Sequence, residues 1–264
     1  GSGGGGSSSV NYTVRFDANG GTISGKSELT KKVRKNTTML DFDVEPVREN
    51  YEFAGWYTTE SAANGLDEGK AWKMGDRVTG NLHLYAGWKA VFNAQVTFEN
   101  GNGTTTEETV LVGEKVKKPI VDPVRKGFAF TGWYTDAECT AVYNFSQAVM
   151  ADIVLYAGWE AEEGTENIIS VTAAGNEDAE ISVYPQEVLA GEMVSAAVAC
   201  TEGKVVDTAT AVYTDKNGAE KNVALTIDEG KGSFVVPADV DAEKGMQVVV
   251  TVKDAPQPTA TPTP

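Results

Sequence analysis

The sequence predicts a mainly β fold, in which two tandem repeats are followed by a small Ig-like β-sandwich. Three observations lead there. The stretch Phe53-Ala54-Gly55-Trp56-Tyr57-Thr58 returns as Phe130-Thr131-Gly132-Trp133-Tyr134-Thr135, and the copies close on Leu84-Tyr85-Ala86-Gly87-Trp88 and Leu155-Tyr156-Ala157-Gly158-Trp159. A phrase repeated at this length marks a structural building block. Apolar residues alternate with polar ones in short runs bounded by Gly, Asn and Asp, which is the pattern of half-buried strands. Charge and aromatic content both change near Glu162, and all five tryptophans lie before it.

Taken in order, Val10, Tyr12, Val14 and Phe16 share one face of an opening strand, with Asn11, Thr13, Arg15 and Asp17 on the other. Asn19-Gly20-Gly21 tolerates positive φ and predicts a turn. The second copy repeats the plan, with Val96 and Phe98 inward, Thr97 and Glu99 outward, and Asn100-Gly101-Asn102-Gly103 as the turn. Short strands through Leu29, Val33 and Leu40, and through Val110, Val112 and Val116, lead to Pro46-Val47-Arg48 and Pro123-Val124-Arg125. Alternation resumes at Tyr51-Glu52-Phe53 and Phe128-Ala129-Phe130. Between the Trp-Tyr pair and the closing strand the first copy is six residues longer. Aligned back from the closing phrase, Trp72 matches Tyr143, Met74 matches Phe145, Val78 matches Val149, and His83 falls opposite Val154. Size and apolarity are kept at most of these places, as a repeated core requires.

Residues 165–253 offer seven candidate strands: Ile168–Thr172, Glu180–Tyr184, Met193–Ala199, Thr208–Tyr213, Val223–Ile227, Gly232–Val236 and Gln247–Val252. They are rich in Val, Thr and Ile, show no helical period, and include a hairpin turn at Asp215-Lys216-Asn217-Gly218.

At 264 residues the chain has room for two or three domains. The expected division is a flexible Gly/Ser linker at 1–9, repeats at 10–90 and 91–161, an acidic β-sandwich module at 163–254, and an extended Pro/Thr linker at 255–264. The opening Gly/Ser run reads as a linker or a remnant of cloning rather than a signal peptide. Linkers at both ends point to a segment of a longer modular protein. Net charges of 0, −5 and −11 in the three folded segments follow the same boundaries. The total of −16 argues against nucleic acid and anionic membrane as partners. No apolar run approaches the roughly 20 residues that span a bilayer, so membrane insertion is not expected. Cys139 and Cys200 fall in different modules and are expected to be free thiols.

The residues also carry a family resemblance. Phe-Asp-Ala-Asn-Gly-Gly-Thr at 16–22, Pro46, Gly55-Trp56-Tyr57 and Leu84–Trp88 resemble the Listeria–Bacteroides repeat, which is related to the B-repeat of internalins. The second copy resembles it through Pro123, Gly132-Trp133-Tyr134 and Leu155–Trp159, with a looser opening at 99–103. Residues 189–252 resemble the divergent form of such repeats through Ala190-Gly191-Glu192, Asn217-Gly218 and Phe234–Ala238. The resemblance implies two compact β-grasp-like modules of the kind strung along bacterial surface proteins. It brings no catalytic residues.

The chemistry-bearing residues are few. His83 is the only histidine and has no partner in sequence, so it reads as a surface strand residue and not as a base. The cysteines have no companions at metal-ligand spacing, and no metal or cofactor is expected. The carboxylates read as solvated surface charge, and Asp17-Ala18-Asn19-Gly20 and Asp215-Lys216-Asn217-Gly218 as turns without the distal Glu of a calcium loop. The repeated aromatics admit two readings. As a sugar-stacking platform, the candidate residues are Trp56, Tyr57, Trp72, Trp133 and Tyr134. As core, Trp56 and Trp133 occupy equivalent buried places near Trp88 and Trp159, and their repetition favours this reading.

The expected function is a non-catalytic structural and adhesion segment, a modular stalk, of a bacterial extracellular or cell-surface protein. The rival is a polysaccharide-binding appendage of a secreted carbohydrate-active enzyme. Expected partners are other modules of the parent surface protein and a host or plant glycan or a host protein, with the chain itself an elongated monomer. The seven residues between Trp88 and Val96 predict a fixed repeat–repeat joint. The charged stretch from Glu160 to Glu166 predicts a looser hinge before the acidic module.

Overall fold

Each repeat is a four-stranded mixed sheet whose two central strands run parallel. The structure, a computed structural model, describes residues 10–38, 44–73 and 75–261. Leu40 and Met74, the linker at 1–9 and the last three residues of the Pro/Thr tail lie outside the described residues. The chain forms two compact units, one comprising 1–94, 110–114 and 148–151, the other 95–109, 115–147 and 152–264.

In the first repeat β1 (Asn11–Asp17), β2 (Glu28–Arg34), β3 (Tyr51–Tyr57) and β4 (Leu82–Ala90) lie in the order β2-β1-β4-β3. β1 and β4 are parallel, and β2 and β3 are antiparallel to their neighbours. The alternation in β1 resolves as expected, with Val14 and Phe16 buried in a core with Trp56, Val78, Leu84 and Trp88. In the second repeat β5 (Asn93–Glu99), β6 (Thr105–Leu111), β7 (Phe128–Tyr134) and β8 (Ile153–Ala161) repeat that order as β6-β5-β8-β7. β5 and β8 are the parallel pair.

Two glycines explain why the motif recurs. Gly55 and Gly132 sit at the register shift where β3 and β7 bulge, at φ of 122° and 134°. A side chain there is strained, whereas glycine is not. Gly87 and Gly158 lie directly under an aromatic ring, and a Cβ on either would collide with Tyr57 or Tyr134. The Gly-Trp-Tyr and Tyr-Ala-Gly-Trp phrases are therefore two halves of one packing unit across the strand pair.

The six extra residues of the first repeat form α1 (Glu60–Gly65). Thr59 caps it, its hydroxyl accepting from the Ala62 amide at 3.1 Å, and Leu66 ends it in the left-handed region. Ala62 and Ala63 pack with Tyr57, Tyr85 and Leu66 on the outer side of the sheet. The second repeat has a tight turn there instead. Asp136 accepts from the Thr140 and Ala141 amides and from the Thr140 hydroxyl.

Residues 169–254 fold as a two-sheet sandwich. β9 (Ile169–Ala173), β10 (Ala179–Tyr184), β11 (Glu187–Val188), β12 (Met193–Cys200), β13 (Lys204–Thr214), β14 (Glu220–Ala224), β15 (Lys231–Val235) and β16 (Met246–Asp254) form it. One sheet has the order β10-β12-β15 and the other β11-β9-β16-β13-β14. Val171, Val183, Val194, Phe234, Val236 and Val248 fill the space between them. The hairpin at Asp215–Gly218 closes as expected, and it moves β14 upstream of the anticipated Val223–Ile227 by pairing Thr214 with Glu220. Residues 256–261 are exposed and lie outside any strand.

Candidate functional site: the joint between the second repeat and the acidic module

The aromatic residues of the sugar-platform reading occupy unequal places. Trp56 and Trp133 are 6 % and 3 % exposed, and they hold equivalent positions. Trp56 packs edge-on against Phe16 and Phe53, with centroids 5.0 and 5.3 Å away. Trp133 does the same with Phe98 and Phe130 at 4.8 and 5.5 Å. Tyr57 is buried under α1. No ring face of these three is open to a ligand, because core neighbours already occupy them. Trp72 and Tyr134 are half-buried. The Trp72 amide donates to the Trp56 carbonyl, as the Tyr143 amide does to the Trp133 carbonyl, so the alignment of Trp72 with Tyr143 holds in space.

His83 has more company than its sequence neighbours indicated. It is half-buried and stacks on Tyr85 with centroids 4.1 Å apart, and its Nδ1 lies 3.0 Å from the Tyr85 hydroxyl. Its Nε2 is 3.7 Å from an Asp17 oxygen. No nucleophile belongs to this group. Cys139 and Cys200 are free thiols, and burial pushes Cys139 up to about 11, which keeps it a thiol near neutral pH. Among the described residues no three His, Cys, Asp or Glu side chains gather as a metal site. The Asp215 carboxylate is used within its own turn, accepting from the Asn217 and Ala219 amides, with Lys221 3.2 Å away.

The most developed polar constellation lies where the second repeat meets the acidic module. Arg125, from the Pro-Val-Arg phrase, is 5 % exposed. Its Nε and Nη2 donate to the two Glu192 carboxylate oxygens at 2.9 and 3.2 Å, and Nη2 also donates to the Glu187 carbonyl. The guanidinium lies over the Phe128 ring, 4.0 Å from its centroid. Glu192 is oriented in turn by the Leu189 amide, which donates to it at 2.9 Å. A planar fork held between a carboxylate and an aromatic face is a geometry that lysine cannot supply.

A second contact lies across the sheet. Tyr184, 5 % exposed, donates its hydroxyl to the Ala157 carbonyl at 2.6 Å, with the Glu99 carbonyl 3.1 Å away. Its ring meets Tyr156 edge-on at 5.0 Å. Burial raises the Tyr184 phenol far above its ordinary value, so it stays a neutral donor. Thr165 adds a hydroxyl bond to the Gly127 carbonyl.

These contacts correct the expected loose hinge. The stretch 160–166 is charged, yet the adhesion comes from residues on either side of it, Arg125 with Glu192 and Tyr184 with the Ala157 and Glu99 carbonyls. They also explain the six-residue difference between the repeats. In the first, α1 and Leu66 cover the outer face around Tyr57 and Tyr85. In the second, with no helix, Tyr184 of the acidic module covers Tyr156. Neither Arg125 nor Tyr184 stood out in the sequence. The one available signal was the repetition of Pro-Val-Arg, since Arg48 likewise lies over the Tyr51 ring at 3.8 Å.

Comparison with known proteins agrees with this architecture. The family model of the Listeria-Bacteroides repeat domain matches residues 12–87 and 95–158, together just over half of the chain. A protein of Evansella cellulosilytica named "Putative membrane protein" is 32% identical over 157 residues, covering 58% of this chain and 22% of that protein. Internalin H of Listeria monocytogenes is 25% identical over 174 residues, covering 63% of this chain and 29% of that protein. The chain thus spans about a quarter of the length of the curated relatives it matches. It belongs to the Listeria-Bacteroides repeat family.

Proposed function

We propose that this chain is a non-catalytic structural and adhesion segment of a bacterial cell-surface or secreted protein. The observation that carries this reading is what the repeated residues do. Gly55, Trp56, Gly87 and Trp88, and their counterparts Gly132, Trp133, Gly158 and Trp159, build a core and a strand bulge. Duplication has propagated a packing unit, and a spacer needs nothing more of it. The names of the relatives, a membrane protein and an internalin, fit a surface setting.

Antibodies against residues 10–161, applied to intact cells of the producing bacterium and to its culture fluid, test the setting. Surface or extracellular signal is expected; signal that appears only after lysis would overturn the reading. For the rival, a polysaccharide-binding appendage, the burial of the Trp56, Tyr57 and Trp133 rings speaks against their use. Trp72 and Tyr134 remain half-buried candidates. Affinity electrophoresis of the chain against plant, mucin and cell-wall glycans separates the two, and retardation abolished by Trp72→Ala or Tyr134→Ala would favour the rival.

A further inference from the structure

We propose that the cleft between the outer face of the second repeat and the β10-β12-β15 sheet binds a single neutral sugar ring. The inference deepens the adhesive part of the proposed function by giving it a place. It does not depend on where the parent protein resides.

The cleft has a volume of about 300 Å³, at the lower end of the range for small-molecule sites. Glu99 and Tyr156 form one wall, from the outward faces of β5 and β8. Ser182, Ser195 and Ser233 form the floor, one from each strand of the three-stranded sheet, and Lys231 stands on the other side. Ala197 and Gly232 lie among the serines, so this part of the cleft carries small side chains.

The polar groups are arranged for a ligand that both donates and accepts. Burial raises the Glu99 carboxylate above its ordinary value, and the positive charge of Lys231 offsets part of that rise. Among the described residues no ion pair or hydrogen bond joins the two, and both side chains line the cleft. A cationic ligand would meet Lys231 and an anionic one Glu99, so the pair favours a neutral molecule. Adjacent hydroxyls of a pyranose offer a donor to the carboxylate and an acceptor to the ammonium within one ring, and the serine hydroxyls complete such a set. The recognition groups are side chains of two modules, which suits a compact ring better than an extended peptide.

The first repeat shows what this face looks like when it is closed. There Asp17, His83 and Tyr85 stand where Glu99, Val154 and Tyr156 stand in the second repeat. Asp17 accepts from the Asn19 amide at 2.8 Å and lies beside His83. The acid is satisfied within its own repeat, whereas Glu99 is left facing the cleft.

The test is an amide-resolved NMR titration of the full chain with free glucose, galactose, mannose and N-acetylglucosamine, each taken to tens of millimolar. Saturable shifts are expected at Glu99, Tyr156, Ser195 and Ser233 with at least one sugar. Lys231→Met and Glu99→Gln should each weaken that binding about tenfold, the scale of one charge-assisted hydrogen bond. Spectra with parental dispersion will show that both variants fold. Absence of saturable shifts with all four sugars would overturn the proposal. So would shifts that map elsewhere, persist in both variants, or arise only with a Gly-Ser tetrapeptide added as the peptide control. None of these outcomes bears on surface location, which the antibody experiment reads separately.

Discussion

Arg125 and Glu192, 67 residues apart in sequence, meet as a two-point ion pair in which the arginine side chain is almost wholly removed from solvent. The pair joins a repeat to a module of different architecture. Its energetic weight lies in what happens when it is broken. A buried guanidinium without its carboxylate keeps the desolvation penalty and loses the compensation.

Glu192→Ala should therefore destabilise the unit formed by the second repeat and the acidic module by about 2–4 kcal/mol, below the full cost of a wholly buried pair because Glu192 is partly exposed. Amide hydrogen exchange should show faster opening around Phe128 and Glu187, with the first repeat unchanged. A variant whose exchange matches the parent at both places would mean that the pair contributes little.

Tyr184→Phe keeps the ring against Tyr156 and removes only the hydroxyl. The Ala157 carbonyl then loses a buried donor, at a cost of about 1–2 kcal/mol. Denaturant titration followed at Trp133 and Trp159 should detect it, and an unshifted midpoint would count against a structural role for that bond.

Trp133→Ala and Trp56→Ala should each cost about 3–5 kcal/mol, the range for deleting a large core ring. The two values should be similar, because the rings hold equivalent places. Thermal melts like the parent's would put the rings at the surface and revive the sugar platform.

Much of this was legible in the sequence. Period-two alternation marked β1 and β5, the Asp215–Gly218 turn gave its hairpin, and the duplicated Trp-Tyr phrase identified equivalent core positions. The remainder was hidden for physical reasons. Six residues are too few to display a helical period, so α1 showed only as a difference in length, although Thr59-Glu60 is a capping signal. β11, at two residues, carries no pattern. The composition of 160–166 predicts flexibility, but composition carries no information on contacts made by residues outside the stretch. What holds the modules together is a pairing of Arg125 with Glu192 and of Tyr184 with two carbonyls, and of these only Arg125 leaves a trace, in the repeated Pro-Val-Arg phrase.

Glu99 gives a pH signature with a definite sign. Burial raises its folded-state value above the ordinary carboxylate range, so folding favours the protonated form. Its contribution is intact below the unfolded value and is lost as pH rises through the folded one. Glu99→Gln should accordingly melt slightly higher than the parent near neutral pH, by about 2 °C or less. The difference should vanish in acid below the ordinary carboxylate range. A variant that melted lower than the parent near neutral pH, with the gap closing on acidification, would show instead that the carboxylate is held by a partner.

That the Arg125–Glu192 and Tyr184–Ala157 contacts hold the second repeat to the acidic module is tested most directly by residual dipolar couplings of the full chain in a weakly aligning medium. Couplings from strands β5–β8 and β9–β16 should fit a single alignment tensor, and Glu192→Ala should split that fit in two. Separate tensors for the two sets in the parent chain would contradict the account and restore the loose hinge.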